Sequence, residues 1–267
     1  MDWSLVLASQ GIEVEIQRPS QEPSWNLRIA PSDRLKALDA IRRFRLENRR
    51  WHWRKAIFGA PLEFHWAALI WVVAITFLFA IQEHFWTLAT FDTTAFGRGE
   101  WWRMFSAVGL HRDIAHLASN AFFGSLVLGL AMAWYGVSLT LLLTWAAGAL
   151  GNYLAWRWHP IPYIGIGASG MVMGALGALS AHAVHCWRAG PQATRYILGS
   201  LVGGVFLFIQ LGTDPKSDIA AHLGGFVGGA FLGAIASWFR WVRFPAVSAI
   251  LLGILILAVV GSILQRT

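Results

Sequence analysis

Several long stretches of this chain contain no charged side chain, and they constrain its fold more than any other feature of the sequence. A run of about 18 or more apolar residues can cross a hydrocarbon core ~30 Å thick. The longest run, Leu117–Trp156, has 40 residues and predicts two crossings joined by a turn near Tyr135–Ser138. Counting that run twice, seven membrane spans are predicted, in Phe64–Ile81, Leu117–Trp156, Ile161–Trp187, Tyr196–Thr213, Ile219–Phe239 and Phe244–Leu264.

The composition agrees with a membrane protein and excludes three other classes. Hydrophobic residues make up 56% of the 267 positions and charged residues only 13%, whereas soluble domains are about 25% charged. A soluble enzyme and a disordered chain are therefore excluded. A secreted disulfide scaffold is excluded as well, because Cys186 is the single cysteine.

Charge is concentrated at the N-terminus, where residues 1–55 hold 18 of the 35 charged side chains. A basic cluster comes directly before the first span: Arg42, Arg43, Arg45, Arg49, Arg50, Arg54 and Lys55. Such a cluster is typical of a cytoplasmic flank, where it also meets anionic lipid. We therefore expect an integral membrane protein of a bacterial inner (plasma) membrane, with a cytoplasmic N-terminus and no nucleic-acid partner.

The N-terminal segment itself predicts a small cytosolic α+β domain. Ser4–Ala8, Ile12–Ile16 and Trp25–Ile29 are predicted as short strands. A helix is predicted from a cap at Ser32 or Asp33 to about Asn48. Regulation, lipid contact and packing are all open as its role.

Further along, the segment from Glu83 to Ala115 is amphipathic and predicts an outer loop lying in the membrane interface.

Four polar residues lie inside or at the ends of predicted spans, where such residues are costly unless they have a partner or a function. His116 and Asn120 begin the second span, Ser169 the fourth and His222 the sixth. With a cytoplasmic N-terminus, all three spans begin on the outer side. The four side chains are therefore expected at a similar depth.

Glycines predict which of these helices touch. Gly170, Gly174 and Gly177 follow Ser169, while Gly225, Gly229 and Gly233 follow His222, and such faces let membrane helices approach closely. Close packing would bring Ser169 and His222 into hydrogen-bond range, as a base-activated nucleophile requires. His116 and Asn120, four residues apart, with the Ser169 N–H, could bind an oxyanion. A packing serine and interfacial histidines are the plainer alternatives.

Nothing in the sequence predicts a metal or a cofactor. His182 and His185 are three residues apart, but only Cys186 adjoins them as a further ligand.

Five short motifs resemble the rhomboid family of intramembrane serine proteases. Gly167–Gly170 with Gly174, and Ala221–His222 with Gly225 and Gly229, are similar to its two signature segments. The pattern His111, His116 and Asn120 resembles its second span, and Trp102-Arg103 the paired residues of its first outer loop. The resemblance covers about residues 60–240.

The resemblance implies a fold and a set of roles. The fold is an all-α polytopic membrane protein, with a six-helix core at 59–241, a seventh C-terminal helix at 242–267 and the α+β domain at 1–58. Ser169 would be the nucleophile and His222 the general base. The supporting residues would be Gly167 and Gly170 beside the serine and Trp102 and Arg103 in the loop. Met173 departs from the pattern, since relatives often have an aromatic residue there.

The predicted function is an intramembrane serine endopeptidase that uses a Ser-His dyad on transmembrane segments of other proteins, with the bilayer as its other partner. A catalytically silent rhomboid-like protein that binds membrane clients is one alternative. A small transporter is another, poorly supported because charge within the spans is almost absent. Asp218, four residues before His222, could make a triad, but the cap of a helix N-terminus is the better interpretation.

Overall fold

The computed structural model describes residues 2–17, 26–47, 64–187, 218–239 and 241–266, with residues 2, 183–187 and 242 described by their backbone alone. The chain forms two compact units, Met1–Pro61 and Leu62–Thr267.

The first unit is small and combines two helices with a two-stranded sheet. Its elements in order are α1 (Asp2–Ser9), β1 (Glu15–Gln17), β2 (Asn26–Arg28), a 3-10 turn (Pro31–Asp33) and α2 (Arg34–Glu47). The strands pair antiparallel with Ile16 opposite Leu27. Leu7, Ile12 and Ala37 form the buried core, each 2% exposed.

The strand predicted at Ser4–Ala8 is wrong, because these residues belong to α1. A short apolar run has no periodicity that separates a strand from a buried helix. As a helix, the segment places Leu7 against Ile12 and Ala37. The predicted strands at Ile12–Ile16 and Trp25–Ile29 overlap β1 and β2, and the predicted helix corresponds to α2.

The second unit is built from long helices. They are α3 (Ala67–Ile81), α7 (Ile114–Tyr135), α8 (Val137–Trp158), α9 (Ser169–Trp187), α10 (Ile219–Trp238) and α11 (Pro245–Leu264), with short helices α4 (Trp86–Ala89), α5 (Thr93–Gly97) and α6 (Arg103–Ser106) between α3 and α7. Five helical segments in the described ranges are long and apolar enough to cross a membrane: Ala67–His84, Ile114–Tyr135, Val137–Trp158, Ile219–Trp238 and Pro245–Leu264.

One predicted turn, one predicted span and one span outside the described residues need comment. The turn predicted in the 40-residue run is confirmed, since α7 ends and α8 begins at Gly136, whose φ of +80° favours glycine. The span predicted at Ile161–Trp187 is helical only from Ser169, because prolines and glycines in residues 160–167 break the helix. The span predicted at Tyr196–Thr213 lies outside the described residues.

The segment between α3 and α7 is held by buried polar side chains. Arg103 is 5% exposed; its Nη1 donates to the carbonyls of Thr87 and Thr90, at 2.9 and 2.8 Å, and its Nε to Glu100 at 2.6 Å. The indole of Trp102 donates to Leu88 O at 3.2 Å. These bonds satisfy buried donors and backbone carbonyls together, and they stabilise the segment.

A short pairing joins this segment to the chain that precedes α9. Strand β3 (Phe91–Asp92) pairs antiparallel with β4 (Ile164–Gly165), with Phe91 opposite Gly165. Next to it, the Tyr163 N–H donates to Thr93 Oγ1 at 2.8 Å, and the Thr93 N–H donates to Tyr163 O at 3.0 Å. The segment between α3 and α7 and the segment before α9 are therefore fastened together beside the start of α9.

Helices α8, α9 and α10 meet at their backbones through glycine. A Cβ placed on Gly225 would lie 2.3 Å from Gly170 O, and one on Gly229 would lie 1.9 Å from Gly174 O. A Cβ on Gly151 of α8 would lie 2.3 Å from Ala221 O. No side chain fits at these distances, so the predicted glycine faces are confirmed as close helix contacts.

Helix α11 runs alongside α8. At its start, Ser138 Oγ donates to Pro245 O at 3.2 Å. Beyond its end, the guanidinium of Arg266 lies over the ring of Trp102, 5.7 Å from the centroid. The helix therefore begins at the Gly136 turn and ends at the segment that contains Trp102.

Candidate active site

A cavity of about 520 Å³ opens between α7, α9 and α10. Ser169, His222, His116 and Asn120, the four polar residues that the sequence singles out, all line it. They come from three different helices, of which α9 and α10 are held together by the glycine contacts. Met173 lines the same cavity and is 3% exposed.

Ser169 is the first residue of α9 and is half-buried. The first four N–H groups of a helix have no acceptor within the helix, so the Ser169 N–H belongs to the set that can bind an external oxygen. The preceding chain is fixed on both sides: the Gly167 N–H donates to Ala107 O at 3.0 Å, and Ala168 O accepts from the Val172 N–H at 3.0 Å.

Gly167 lies between the His116 ring and the Ser169 hydroxyl. Its φ is +122°, and a Cβ there would lie 2.7 Å from Cε1 and 2.8 Å from Nε2 of His116, and 3.8 Å from Ser169 Oγ. Both the backbone angle and the space therefore require glycine at this position. Because the ring and the hydroxyl approach the same point, His116 Nε2 lies on the side of the ring toward Ser169.

The tautomer of His116 follows from its other nitrogen. The Arg112 N–H points at Nδ1 at 3.5 Å, a long hydrogen bond in which Nδ1 accepts. An imidazole that accepts at Nδ1 carries its proton on Nε2 when neutral. The nitrogen near Gly167 is then a donor. The helix start is fixed separately, since the Asp113 carboxylate accepts from the His116 N–H at 2.8 Å.

Asn120 follows one helical turn later and is 6% exposed. Its Nδ2 donates to His116 O at 3.1 Å, which fixes the orientation of the amide. An amide NH₂ has two hydrogens, so one of them can serve the cavity while the other holds this bond. His116 and Asn120 thus offer donors from one face of α7.

His222 is 3% exposed and lies one turn into α10. Its N–H donates to Asp218 O at 3.0 Å, the first helical bond of this turn. Because Gly225 and Gly170 are in contact, His222 and Ser169 lie near the starts of two helices that touch there. The cavity they share is the space in which a substrate carbonyl could lie.

Asp218 caps α10 and is the centre of a polar cluster at the rim of the cavity. Its Oδ1 accepts from the Ala221 N–H at 3.0 Å and contacts His159 Nε2 at 3.0 Å. Its Oδ2 accepts from the Tyr163 hydroxyl at 2.5 Å. The His159 and Tyr163 rings stack, with centroids 4.2 Å apart. The interpretation of Asp218 as a cap is confirmed.

The pKa values in this cluster follow from burial and hydrogen bonding. Burial by itself raises the pKa of Asp218, but the hydrogen bonds from Tyr163, His159 and Ala221 outweigh it and hold the pKa below its ordinary 3.8. Burial, with the Asp218 charge, raises the pKa of Tyr163 above its ordinary 10. At neutral pH the cluster is therefore a carboxylate with a phenol as donor.

The sequence singles out the four cavity residues but not Tyr163 and His159, which contact Asp218. Tyr163 and His159 carry no motif, and His159 looks like any histidine near a span end. Both reach Asp218 from the segment between α8 and α9, which folds back onto the segment between α3 and α7 through Thr93, 70 positions earlier in the chain. A single sequence holds no signal for a contact of that separation.

Comparison with known proteins identifies the family. The family model named Rhomboid domain matches residues 98–239, which is more than half of the chain and includes all four cavity residues. The chain therefore belongs to the rhomboid family and is an integral membrane protein.

Individual relatives are similar over about half of the chain. Rhomboid protease GluP of Bacillus subtilis (strain 168) is 33% identical over 146 residues, 54% of this chain and 27% of that protein. RHOMBOID-like protein 5 of Arabidopsis thaliana is 28% identical over 151 residues, 51% of this chain and 44% of that protein. RHOMBOID-like protein 1 of the same plant is 28% identical over 139 residues. The matched part thus spans less than half the length of each of the first two relatives.

Proposed function

We propose that this protein is an intramembrane serine endopeptidase that hydrolyses peptide bonds in or beside transmembrane segments of other membrane proteins. One observation carries the proposal: Ser169, His222, His116 and Asn120 line one cavity at the starts of three packed helices. A protein that only binds membrane clients would need none of these four side chains. In this proposal residues 59–241 form the catalytic core, 1–58 a separate domain, and 242–267 an added helix.

The chemistry is acyl transfer by a dyad. Ser169 Oγ attacks the substrate carbonyl carbon while His222 takes the hydroxyl proton as general base. The tetrahedral intermediate collapses, the C–N bond breaks, and the proton on His222 passes to the departing amine. A water molecule then attacks the acyl-enzyme, again with His222 as base, and releases the acid and the free Ser169.

The negative oxygen of the intermediate needs donors that are already in position. Three are available: the Ser169 N–H at the start of α9, Nε2 of His116 and the second hydrogen of the Asn120 amide. Gly167 keeps His116 close to the serine because no side chain stands between them. The hydrogen bond from Asn120 to His116 O holds the two donors in a fixed relation.

The nature of the substrate follows from the location of the site. A transmembrane helix has its carbonyls occupied by its own hydrogen bonds, so the segment to be cleaved must first unwind. Small and helix-destabilising residues near the cleaved bond are therefore favoured. Water reaches the bond through the cavity, whose rim is formed by polar residues such as Arg112, Asp113 and Asp218.

We also propose a bacterial inner (plasma) membrane as the location, with residues 1–55 in the cytoplasm. The basic cluster before the first span supports this orientation. The cavity then opens toward the outer side of the membrane.

Labelling with a fluorophosphonate probe tests the proposal, because only an activated serine reacts. Wild-type protein in detergent is expected to label, and Ser169→Ala and His222→Ala to abolish labelling. Ser119 is the matched control, since it lines the same cavity, and Ser119→Ala should label like the wild type. Cleavage of a membrane-protein substrate by the same variants provides the second readout.

Two results would overturn the proposal. Labelling that survives in Ser169→Ala and disappears in Ser119→Ala would assign the nucleophile to α7. A folded wild-type protein that neither labels nor cleaves would leave the chain as a silent rhomboid-like protein that binds membrane clients.

A further inference from the structure

One face of α2 in the first unit combines leucine and arginine side chains that point away from the core. Leu35, Leu38 and Leu46 are 82%, 57% and 60% exposed. Arg34, Arg42 and Arg45 are also exposed. At 100° per residue these six positions fall within about 120° of the helix circumference. We call this set the Leu/Arg stripe.

The stripe is distinct from the buried side of the helix. Ala37 is 2% exposed and packs with Leu7 and Ile12, and Ala40 and Ile41 pack against that cluster. These core positions occupy the opposite half of the helix from Leu35 and Leu46. Leu35 and Leu46 therefore face away from the core, and together with Leu38, which is 57% exposed, they form an apolar surface that water solvates poorly.

The charges of the stripe have the sign and geometry that an anionic surface requires. Among residues 2–17 and 26–47, Arg43 forms a salt bridge with Asp39. Asp39 lies at the edge of the stripe and Arg43 beyond it. Arg34 and Arg42 form no salt bridge in these residues. Arg45 lies over the ring of Trp3, 4.6 Å from its centroid, and Trp3 is 43% exposed. Leucine, arginine and tryptophan together are the side chains of a helix that lies in a membrane interface.

The position of α2 in the chain keeps it near a membrane at all times. From the end of α2 at Glu47 to the start of α3 at Ala67 there are 19 residues, 48–66. Even fully extended, such a segment reaches no further than about 65 Å. That sequence adds four cations, Arg49, Arg50, Arg54 and Lys55. Binding of the stripe to the bilayer is therefore intramolecular, and a weak intrinsic affinity suffices.

We propose that the Leu/Arg stripe docks the first unit on the anionic lipid leaflet of the membrane in which the protein is embedded. The leucines enter the boundary between headgroups and acyl chains, and the guanidinium groups bind lipid phosphates. With the N-terminus in the cytoplasm, this leaflet is the cytoplasmic one. The docking is independent of the proposed peptidase chemistry, so either can fail while the other holds.

An environment-sensitive probe on the full-length protein tests the docking. In a Cys186→Ser background, an NBD label is attached at Leu38→Cys on the stripe or, as control, at Lys36→Cys off the stripe. The protein is reconstituted in vesicles of phosphatidylcholine alone or with phosphatidylglycerol. The Leu38 probe is expected to shift to the blue in the anionic vesicles only. High salt should reverse the shift, because it screens the attraction, and the Lys36 probe should stay aqueous throughout.

Charge variants distinguish the stripe from net charge. The pair Arg34→Gln with Arg42→Gln removes two positive charges from the stripe and should abolish the shift at Leu38. The pair Lys36→Gln with Arg43→Gln removes two charges elsewhere on α2 and should leave the shift at Leu38 unchanged. A Leu38 probe that stays aqueous in every vesicle overturns the proposal. A shift of equal size in neutral vesicles also overturns it, since anionic lipid would then not be what the stripe binds.

Discussion

At the scale of single residues, the side-chain amide of Asn120 has one of its two hydrogens already bonded within the helix. Its bond to His116 O engages one hydrogen, and in the proposed mechanism the other hydrogen binds the oxyanion. Removal of one oxyanion donor costs on the order of 10²–10³-fold in kcat in a serine protease. Asn120→Ala is therefore expected to slow cleavage of a model membrane substrate by about that factor.

The comparison with other variants decides whether Asn120 acts as a donor. Fluorophosphonate labelling of Asn120→Ala should be slowed but not abolished, since Ser169 and His222 remain. Asn152 supplies the control: it lines the same cavity, but its Nδ2 donates to Met104 O at 2.7 Å, so its loss should affect thermal stability more than the rate of labelling. Wild-type kinetics in Asn120→Ala would exclude the assigned role.

Asp218 is expected to matter for architecture more than for proton transfer. In Asp218→Asn the amide oxygen still accepts from the Ala221 N–H, and Asn caps a helix nearly as well as Asp. We therefore predict that turnover changes by less than about tenfold. Loss of a buried orienting aspartate costs on the order of 10⁴-fold in a serine protease triad, so a decrease of that size in folded protein would establish a triad. Tyr163→Phe, which keeps the stacked ring and removes the donor, should also change turnover only slightly.

The burial of His111 predicts that the stability of the protein depends on pH. His111 is fully buried, and burial, together with the neighbouring His116, lowers its pKa from 6.5 to about 4. Between these pH values the unfolded chain binds a proton that the folded chain does not, so stability is complete above pH 6.5 and decreases as the pH falls toward 4. The total effect is on the order of 3 kcal/mol.

Thermal unfolding in detergent from pH 7 to pH 4.5 measures the contribution of His111. In His111→Gln the slope with pH should be smaller than in the wild type, because the titrating ring is gone while Gln82 still bonds the backbone of residue 111. Equal slopes in wild type and His111→Gln would contradict the prediction.

At the scale of helices, glycine decides how closely α9 and α10 pack. A methyl group on Gly229 would lie 1.9 Å from Gly174 O, so Gly229→Ala must push the helices apart. Overpacking of this kind costs about 1–3 kcal/mol, and the displaced α10 carries His222. Both the thermal midpoint and the labelling of Ser169 should therefore decrease.

Gly253 of α11 is the matched control for a glycine in a helix. Nothing lies within 4 Å of a Cβ placed there, and alanine has the higher helix propensity. Gly253→Ala should therefore leave both the midpoint and the labelling unchanged or slightly increase the midpoint. Equal loss in the two variants would mean that helix contact is not what Gly229 provides.

The same helices mark the limit of prediction from sequence. Gly225 and Gly229 could be recognised because a four-residue repeat of small residues is a local pattern. The start of α9 could be placed only roughly, since the uncharged run continues through residues 161–168 although the backbone there is not helical. Ser4–Ala8 was predicted as a strand because its short apolar run fits a strand and a helix equally well. The contact of Tyr163 with Asp218 depends on tertiary structure alone.

For the whole molecule, the proposed orientation makes a prediction about accessibility. In a Cys186→Ser background, a cysteine at the exposed position Arg98 should react with an impermeant reagent in intact cells. A cysteine at Asp39 in the first unit should react only after lysis. The prediction depends on the basic cluster before the first span. Protection of position 98 together with labelling at position 39 would reverse the orientation.

Because Arg266 contacts Trp102, the C-terminal end of the described chain is a suitable position for a reporter of membrane orientation. Since α11 returns to the segment that contains Trp102, a reporter joined after Arg266 would occupy the same aqueous compartment as that segment. An enzyme reporter that works only outside the cytoplasm, compared with one that works only inside, would then give the orientation of the protein in living cells. In the proposed orientation, a folded fluorescent protein at this position would have to cross the membrane, so the choice of fusion partner itself would decide whether the protein can insert.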